Sequence, residues 1–405
     1  MLMKSILFVD DDERVLNGLR RLLMPYDGTW RTEFACGAEE ALRILAQGAR
    51  DVIVSDLRMP GINGAELLAR ISKLHPQMVR IILSGTLEED LRSQATLVAH
   101  QYLSKPCDPE VLKAILNRAF ALRDVLVEPA LRELISGTVS LPSTPTLYTE
   151  LMDAVRSSET SVQQLGAIIA RDPAMTAKVL QLVNSAFFGF SRSVGNPADA
   201  VAFLGVDAIA ALALSISAFS LFRPLGARRF SIEHLQAHSL AVASVAREIA
   251  KSQKNLRKSL VDDAFTAGIL HDLGKLMLFC HHPEKYERVL DMAEERKVWP
   301  GTAERELLGT THAEIGGYLL WLWGLPDCVA EAVTFHHNPS ACPADHFGAL
   351  TAVHVADALV RSASGGASAP AAELDTDYLT RIGVIHELPA WEALAGEVLL
   401  SHNAS

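Results

Sequence analysis

At 405 residues the chain is long enough for two or three domains, and a hydrophobic content of 49% supplies real cores. The formal net charge is −11; residues 1–122 hold 15 Lys/Arg against 16 Asp/Glu, so −10 of it falls beyond them, which argues against a nucleic-acid-binding output. The five cysteines, Cys36, Cys107, Cys280, Cys328 and Cys342, show no C-x-x-C spacing and no secretory signal precedes them, so a cytoplasmic protein with reduced thiols is expected.

Four short apolar runs in the first quarter each lead into polar chemistry. Ile6-Leu7-Phe8-Val9 closes on Asp10-Asp11, Val52-Ile53-Val54 on Asp56, Ile81-Ile82-Leu83 on Ser84, and Tyr102-Leu103 on Lys105. Helix-like stretches at 39–45 and 64–74 lie between them, so the pattern predicts an α/β, doubly wound parallel sheet. Sites in such sheets form beyond the carboxyl ends of the strands. Any one strand-end aspartate is ordinarily a cap or turn former. Five polar positions in this order instead describe a phosphoryl-accepting pocket. Its carboxylates would repel one another without a divalent cation, and hard oxygen donors select magnesium. Asp56 is then the nucleophile, with Ser84 and Lys105 stabilising the charged product oxygens.

VDDD at 9–12, SDLRMPGING at 55–64, LSG at 83–85 and YLSKP at 102–106 closely resemble the response-regulator receiver family. The resemblance implies a flavodoxin-like domain over residues 1–122. By position it makes Asp56 the phosphorylated residue, and Asp10 and Asp11 the acids that hold Mg2+ together with Asp56 and the backbone carbonyl of Arg58. Ser84 and Lys105 become the switch pair and Tyr102 the aromatic rotamer reporter. It further implies a sensor histidine kinase as phosphoryl donor, a cis bond before Pro106, and 111–126 as a candidate homodimer surface.

From Arg123 the strand pattern gives way to helical spacing. Leu131, Leu134 and Ile135 suggest a connecting helix over 123–137, and Leu147, Leu151 and Val155 continue an i, i+4, i+8 stripe after the stiff break at 141–145. Asp172-Pro173 predicts a cap opening a helix whose apolar face includes Met175, Val179 and Leu182, ending near Asn184-Ser185 and Phe188-Gly189. The uncharged stretch 208–222 is shorter than the roughly 20 residues of a membrane span, so a buried helix is expected and no membrane partner.

Ten of the 14 histidines lie between His234 and His354. Seven polar residues on or beside helices stand out there: His238, the adjacent His271-Asp272, His312, the adjacent His336-His337, and Asp357. Converged on one pocket, they suit two first-row ions such as iron, manganese or zinc, with Asp272 as the natural bridge. Such a pair would generate hydroxide and polarise a phosphodiester, and Lys275, one turn after His271, would meet the phosphate. His234, His281, His282, His346 and His354 read as ordinary core or surface histidines.

HDLGK at 271–275 with a later His-His pair and a final Asp resembles the HD superfamily of metal-dependent phosphohydrolases. Within it, the segments at 141–145, 171–189, 238–243, 268–276, 311–326 and 336–339 resemble the HDOD output domain, over 138–360 in all: an N-terminal helical part at 138–230 and an HD-like core at 231–360. The fold expected for the whole is therefore multidomain, a receiver followed by an all-α HDOD module. HDOD domains generally lack demonstrated catalysis, which implies a helical module acting through protein partners. Yet the seven residues match the ligand positions of HD-GYP cyclic di-GMP phosphodiesterases, although Asn338-Pro339 replaces the glutamate after the His-His pair and the GYP tripeptide is missing. Two functions stay open: a non-catalytic adaptor switched at Asp56, and a receiver-regulated phosphodiesterase for a cyclic dinucleotide or other phosphoester. The rest, 361–405, reads as a small-residue flexible segment followed by a helical tail carrying Leu374, Tyr378, Leu379, Ile382, Trp391, Leu394 and Val398.

Overall fold

The structure, a computed structural model, describes residues 4–24, 30–75, 78–84, 98–125, 150–151, 153–154, 161–171, 175–176, 179–180, 183, 194, 196–221, 231–253, 258–322, 325–363 and 374–403. They fall into two compact units, one built on a sheet and one all-helical.

In the first unit the order is β1 (Lys4–Asp10), α1 (Glu13–Leu23), β2 (Trp30–Cys36), α2 (Ala38–Leu45), β3 (Val52–Ser55), α3 (Gly64–Leu74), β4 (Val79–Ser84), β5 (Gln101–Ser104) and α4 (Pro109–Val125). The strands form one parallel sheet in the order β2-β1-β3-β4-β5. In register, Val9 pairs with Ser55 and Leu83 with Leu103, so the polar residues that follow the strands emerge at a common edge. The chain reverses direction across the sheet between β1 and β3, the switch point at which such folds place their sites. Leu7, Val9, Ile53 and Ile82 are buried against Ala41, Leu45, Leu67, Leu68 and Ile71 of the covering helices. Asp12 caps α1 by accepting the Arg14 N–H, and Asn63 caps α3 by accepting that of Glu66.

The sequence pattern showed four strands; the sheet has five. The missed one, β2, is an edge strand whose Arg31 and Glu33 interrupt its apolar residues, so it lacks the continuous hydrophobic run of a central parallel strand.

The second unit contains α5 (Val162–Ala170), α6 (Pro197–Leu204), α7 (Val206–Leu221), α8 (Ile232–Ser252), α9 (Lys258–Leu270), α10 (Leu273–His281), α11 (Pro283–Arg296), α12 (Pro300–Leu308), α13 (His312–Leu322), α14 (Asp327–Phe335), α15 (Ala349–Ala363), α16 (Thr376–Arg381) and α17 (Leu388–Asn403). Helix α9 packs on α7, α8, α14 and α15. It reaches α8 closely because Gly268 has no side chain: a Cβ there would lie 2.6 Å from the Ala243 Cα. Residues 208–216 are all buried, so the apolar stretch is a core helix as expected, and no helix among the described residues is long and apolar enough to cross a membrane.

The tail packs back on this bundle. Tyr378, Leu379 and Trp391 are fully buried, the Tyr378 hydroxyl lies 2.8 Å from Thr351 Oγ1, and the Trp391 indole donates to Ser252 Oγ at 3.3 Å. Met175 and Val179 are helical and buried as expected. Outside the described residues lie Leu131, Leu134, Ile135, Leu147, Val155, Asp172-Pro173, Leu182, Asn184-Ser185, Phe188-Gly189 and the segment 364–373, as do the side chains of Ser84, Tyr102 and His281.

Candidate functional sites

At the carboxyl edge of the sheet, the Lys105 ammonium binds Asp10 Oδ2 at 2.6 Å and also Asp56 Oδ1. The second oxygen of each acid is held by backbone: Asp56 Oδ2 accepts the Arg58 N–H at 2.8 Å, and Asp10 Oδ1 accepts that of Asp12 at 2.9 Å. Asp10 and Asp56 are buried, whereas Asp11 is exposed. Burial works against the Lys105 charge, but the two carboxylates overcome it and raise the lysine's pKa. Gly64 makes the fit possible: a Cβ there would lie 2.0 Å from the Asp56 carbonyl oxygen. The Lys105-Pro106 bond is cis. Asp10 and Asp56, at the ends of β1 and β3, offer hard carboxylate oxygens of the kind Mg2+ takes. The structure thus brings Asp10, Asp56 and Lys105 together, with Arg58 contributing its N–H, while the Asp11 that follows Asp10 is exposed.

In the helical unit all seven expected residues converge. They arrive from five places: His238 on α8, His271-Asp272 just after α9, His312 at the start of α13, His336-His337 just after α14, and Asp357 on α15. Their donor atoms form two groups, each within 4.8 Å: Asp272, His312, His336 and His337, and His238, His271 and Asp357. Asp272 lies between them, with Oδ1 3.3 Å from His312 Nε2 and Oδ2 3.4 Å from His271 Nε2. His238 Nε2 is 3.0 Å from Asp357 Oδ1.

The outer atoms of three imidazoles are tied down. His271 Nδ1 donates to the Gly268 carbonyl and His336 Nδ1 to that of Val333, each at 2.7 Å, and His312 Nδ1 binds Glu304 Oε2 at 2.8 Å. With Nδ1 holding the proton, each Nε2 turns a lone pair inward. His271 Nε2, His336 Nε2 and Asp272 Oδ1 are buried with no hydrogen-bond partner. Orphaned inward donors of this chemistry fit a first-row divalent ion.

Electrostatics follow from the same contacts. Burial opposes the charges of Asp272 and Asp357, but His271 and Lys275 beside the first, and Arg361 and His238 beside the second, hold both well below the usual carboxylate range. Burial drives His336 and His337 well below the ordinary imidazole value, reinforced by His271 and by His336 respectively. His312 is raised despite burial, because the Glu304 carboxylate favours its proton. Lys275, expected to face a phosphate, pairs with Asp272 Oδ2 at 2.6 Å.

Three contributors escaped the sequence. Glu304 is fully buried and also accepts the Tyr286 hydroxyl at 2.7 Å and the His312 N–H at 2.8 Å. Arg361 Nε binds Asp357 Oδ1 at 2.7 Å. Trp299 stands with its ring centroid 4.3 Å from that of His337. Of the histidines read as ordinary, His354 is buried and fully hydrogen-bonded, donating from Nδ1 to the His336 carbonyl and accepting the Asp375 N–H at Nε2. His234 and His346 are exposed.

A parallel sheet of this order with acids and a lysine at its edge is that of a receiver domain, and an all-helical domain follows it. The chain joins the two named parts: the response regulator receiver domain matches residues 6–117 and the HDOD domain residues 141–339. An uncharacterized protein of Treponema pallidum is 26% identical over 225 residues, which cover 56% of this chain and 43% of that protein. The DNA-binding transcriptional regulator NtrC of Escherichia coli K12 is 34% identical over 119 residues, 29% of this chain and 25% of NtrC. The chain thus spans less than half the length of these curated relatives. A crystal structure of an HDOD domain protein of unknown function from Geobacter sulfurreducens matches with a TM-score of 0.56 at 25% identity, over 68% of this chain and 95% of that one.

Proposed function

We propose that this protein is a phosphorylation-controlled regulator in which Asp56 accepts a phosphoryl group from a sensor histidine kinase and the HDOD unit delivers the response through a protein partner. The observation that carries it is the pairing of one lysine, Lys105, with both Asp10 and Asp56 at the sheet's switch point. The Asp56 carboxylate forms the bond to phosphorus while the phosphohistidine P–N bond breaks and its electron pair stays on the leaving nitrogen. Asp10, Asp11, Asp56 and the Arg58 carbonyl would hold Mg2+, which supplies neutralising charge for the transfer. Lys105 then exchanges its Asp56 contact for the acyl phosphate, with Ser84 and Tyr102 as the switch residues the receiver motifs imply, and this biases the output between states. The test is phosphoryl uptake from acetyl phosphate with Mg2+. Wild type becomes labelled and Asp56→Ala does not; uptake by Asp56→Ala equal to wild type overturns the assignment.

A second reading is favoured by the inward-facing orphans of the histidine cluster: a metal-dependent phosphodiesterase acting on a cyclic dinucleotide or other phosphoester. Bound iron, manganese or zinc would supply the activated water, and His238, His271, Asp272, His312, His336, His337 and Asp357 are the residues that would hold it. Hydrolysis by the metal-loaded protein that disappears in Asp272→Ala supports this reading; metal binding without hydrolysis of such substrates leaves the adaptor.

A further inference from the structure

The two halves of the histidine cluster are not equivalent. In the first, Asp272 Oδ1 and His336 Nε2 are buried without hydrogen-bond partners, and His312 Nε2 and His337 Nε2 face each other at 3.2 Å, so three imidazole nitrogens and one carboxylate oxygen are presented to a common point. This is an N3O donor set of the kind that holds one first-row ion. In the second half His271 Nε2 is likewise unpartnered, but the two carboxylate oxygens nearest it are already engaged by side-chain cations. Asp272 Oδ2, the oxygen nearest His271 and His238, takes the Lys275 ammonium at 2.6 Å, and Asp357 Oδ1, the oxygen nearest the same two histidines, takes Arg361 Nε at 2.7 Å.

We infer that the cluster is a one-ion site: the half formed by Asp272, His312, His336 and His337 takes a single divalent cation, while Lys275 and Arg361 occupy the place of a second. This rests on the metal reading above and deepens it. A second dication beside His238, His271 and Asp357 would have to displace two cations from the oxygens it needs, or sit against their charge in a buried, low-dielectric setting where like charges repel strongly. The geometry of both cations is short-range and local. Lys275 lies three residues after Asp272 and Arg361 four residues after Asp357, one helical turn in each case, so each carboxylate carries its own counter-charge. Asp272 Oδ1, the oxygen facing His312, is left without one, and Asp357 Oδ2 turns away from His238 and His271 toward the His337 ring at 3.6 Å. The seven residues therefore overstate the number of ions held.

The experiment is a Mn2+ titration of the full chain in excess Mg2+, which occupies the acidic pocket of the receiver, read by retained metal per chain and by electron paramagnetic resonance. Wild type is expected to retain one magnetically isolated Mn2+. Lys275→Met with Arg361→Met is expected to retain two, with the spectrum of a spin-coupled pair. Two retained ions in wild type overturn the inference while leaving the metal reading intact, and a folded double variant that still holds one overturns it too. No retained ion in wild type overturns the metal reading itself. The wild-type count decides the matter even where the double variant does not fold, and Arg361→Gln alone, expected to raise weak second-site occupancy, provides a milder variant.

Discussion

Replacing Glu304 by alanine tests whether the cluster depends on its outer support. The carboxylate is fully buried and takes three donors: the Tyr286 hydroxyl, the His312 N–H and His312 Nδ1. Each donor left unpaired costs about 1–3 kcal/mol, part of which is recovered because a buried charge is also removed. Breaking one side of a buried, hydrogen-bonded pair nets about 3–5 kcal/mol, and at about 2–4 °C per kcal/mol for a unit of this size the helical transition should fall by about 6–20 °C. Loss of the group that orients a metal-binding histidine should also weaken Mn2+ binding about 10–100-fold. Scanning calorimetry of the apo protein and a Mn2+ titration measure the two separately. Glu304→Gln, which keeps an acceptor and the shape, should lose less of both. A Glu304→Ala protein that melts within about 2 °C of wild type and binds Mn2+ equally tightly would refute the reasoning.

Three other outcomes are expected. Gly64→Ala puts a methyl group against the Asp56 carbonyl; overpacking of this kind costs about 1–3 kcal/mol, so denaturant unfolding of the receiver should move to lower midpoint and acetyl phosphate labelling should slow, and unchanged values for both count against the close approach. Trp391→Ala empties a fully buried site on α17 and should destabilise the helical unit by about 3–5 kcal/mol, read as the shift in its melting transition; a surface-like loss under about 0.5 kcal/mol contradicts the packing. His100 is buried and its Nδ1 accepts the Arg80 N–H at 3.0 Å, and burial, helped by the Arg80 charge, holds its pKa well below 6.5. It therefore binds a proton when unfolded and none when folded. The sign follows: its contribution is complete above about pH 6.5 and is lost as pH falls, at up to about 1.4 kcal/mol per pH unit. Urea unfolding at pH 7.5 and 5.5 should show a steeper loss for wild type than for His100→Asn, and equal losses contradict it.

What the sequence made legible depended on how local each signal was. The runs Ile6–Val9, Val52–Val54 and Ile81–Leu83 are central parallel strands, apolar on both faces, so their boundaries and the acids that follow them stood out. Trp30–Cys36 lies at the edge, and its charges hid it. His271-Asp272 and His336-His337 were conspicuous because adjacent polar residues interrupt apolar helical spacing. Glu304 was invisible because it sits among other charges in Glu304-Arg305-Glu306, and only the fold turns it from solvent to the His312 ring. Arg361 follows Asp357 by four residues, a spacing that says nothing of burial, so its role shows only in the fold. His354 was set apart from the donor set as a core histidine, and in the fold both its ring nitrogens are taken by backbone groups.

The bond from Asp375 through the His354 ring to the His336 backbone has a practical corollary for how this polypeptide can be divided. A fragment ended at residue 339, where the HDOD match stops, would lack Asp357 and with it His354, Asp375 and the buried Tyr378 and Trp391. Its remaining imidazoles would open to water on one flank, and measurements on such a fragment would describe a broken vessel rather than the intact one. The packing that closes the helical unit over the cluster therefore continues as far as Trp391 on α17.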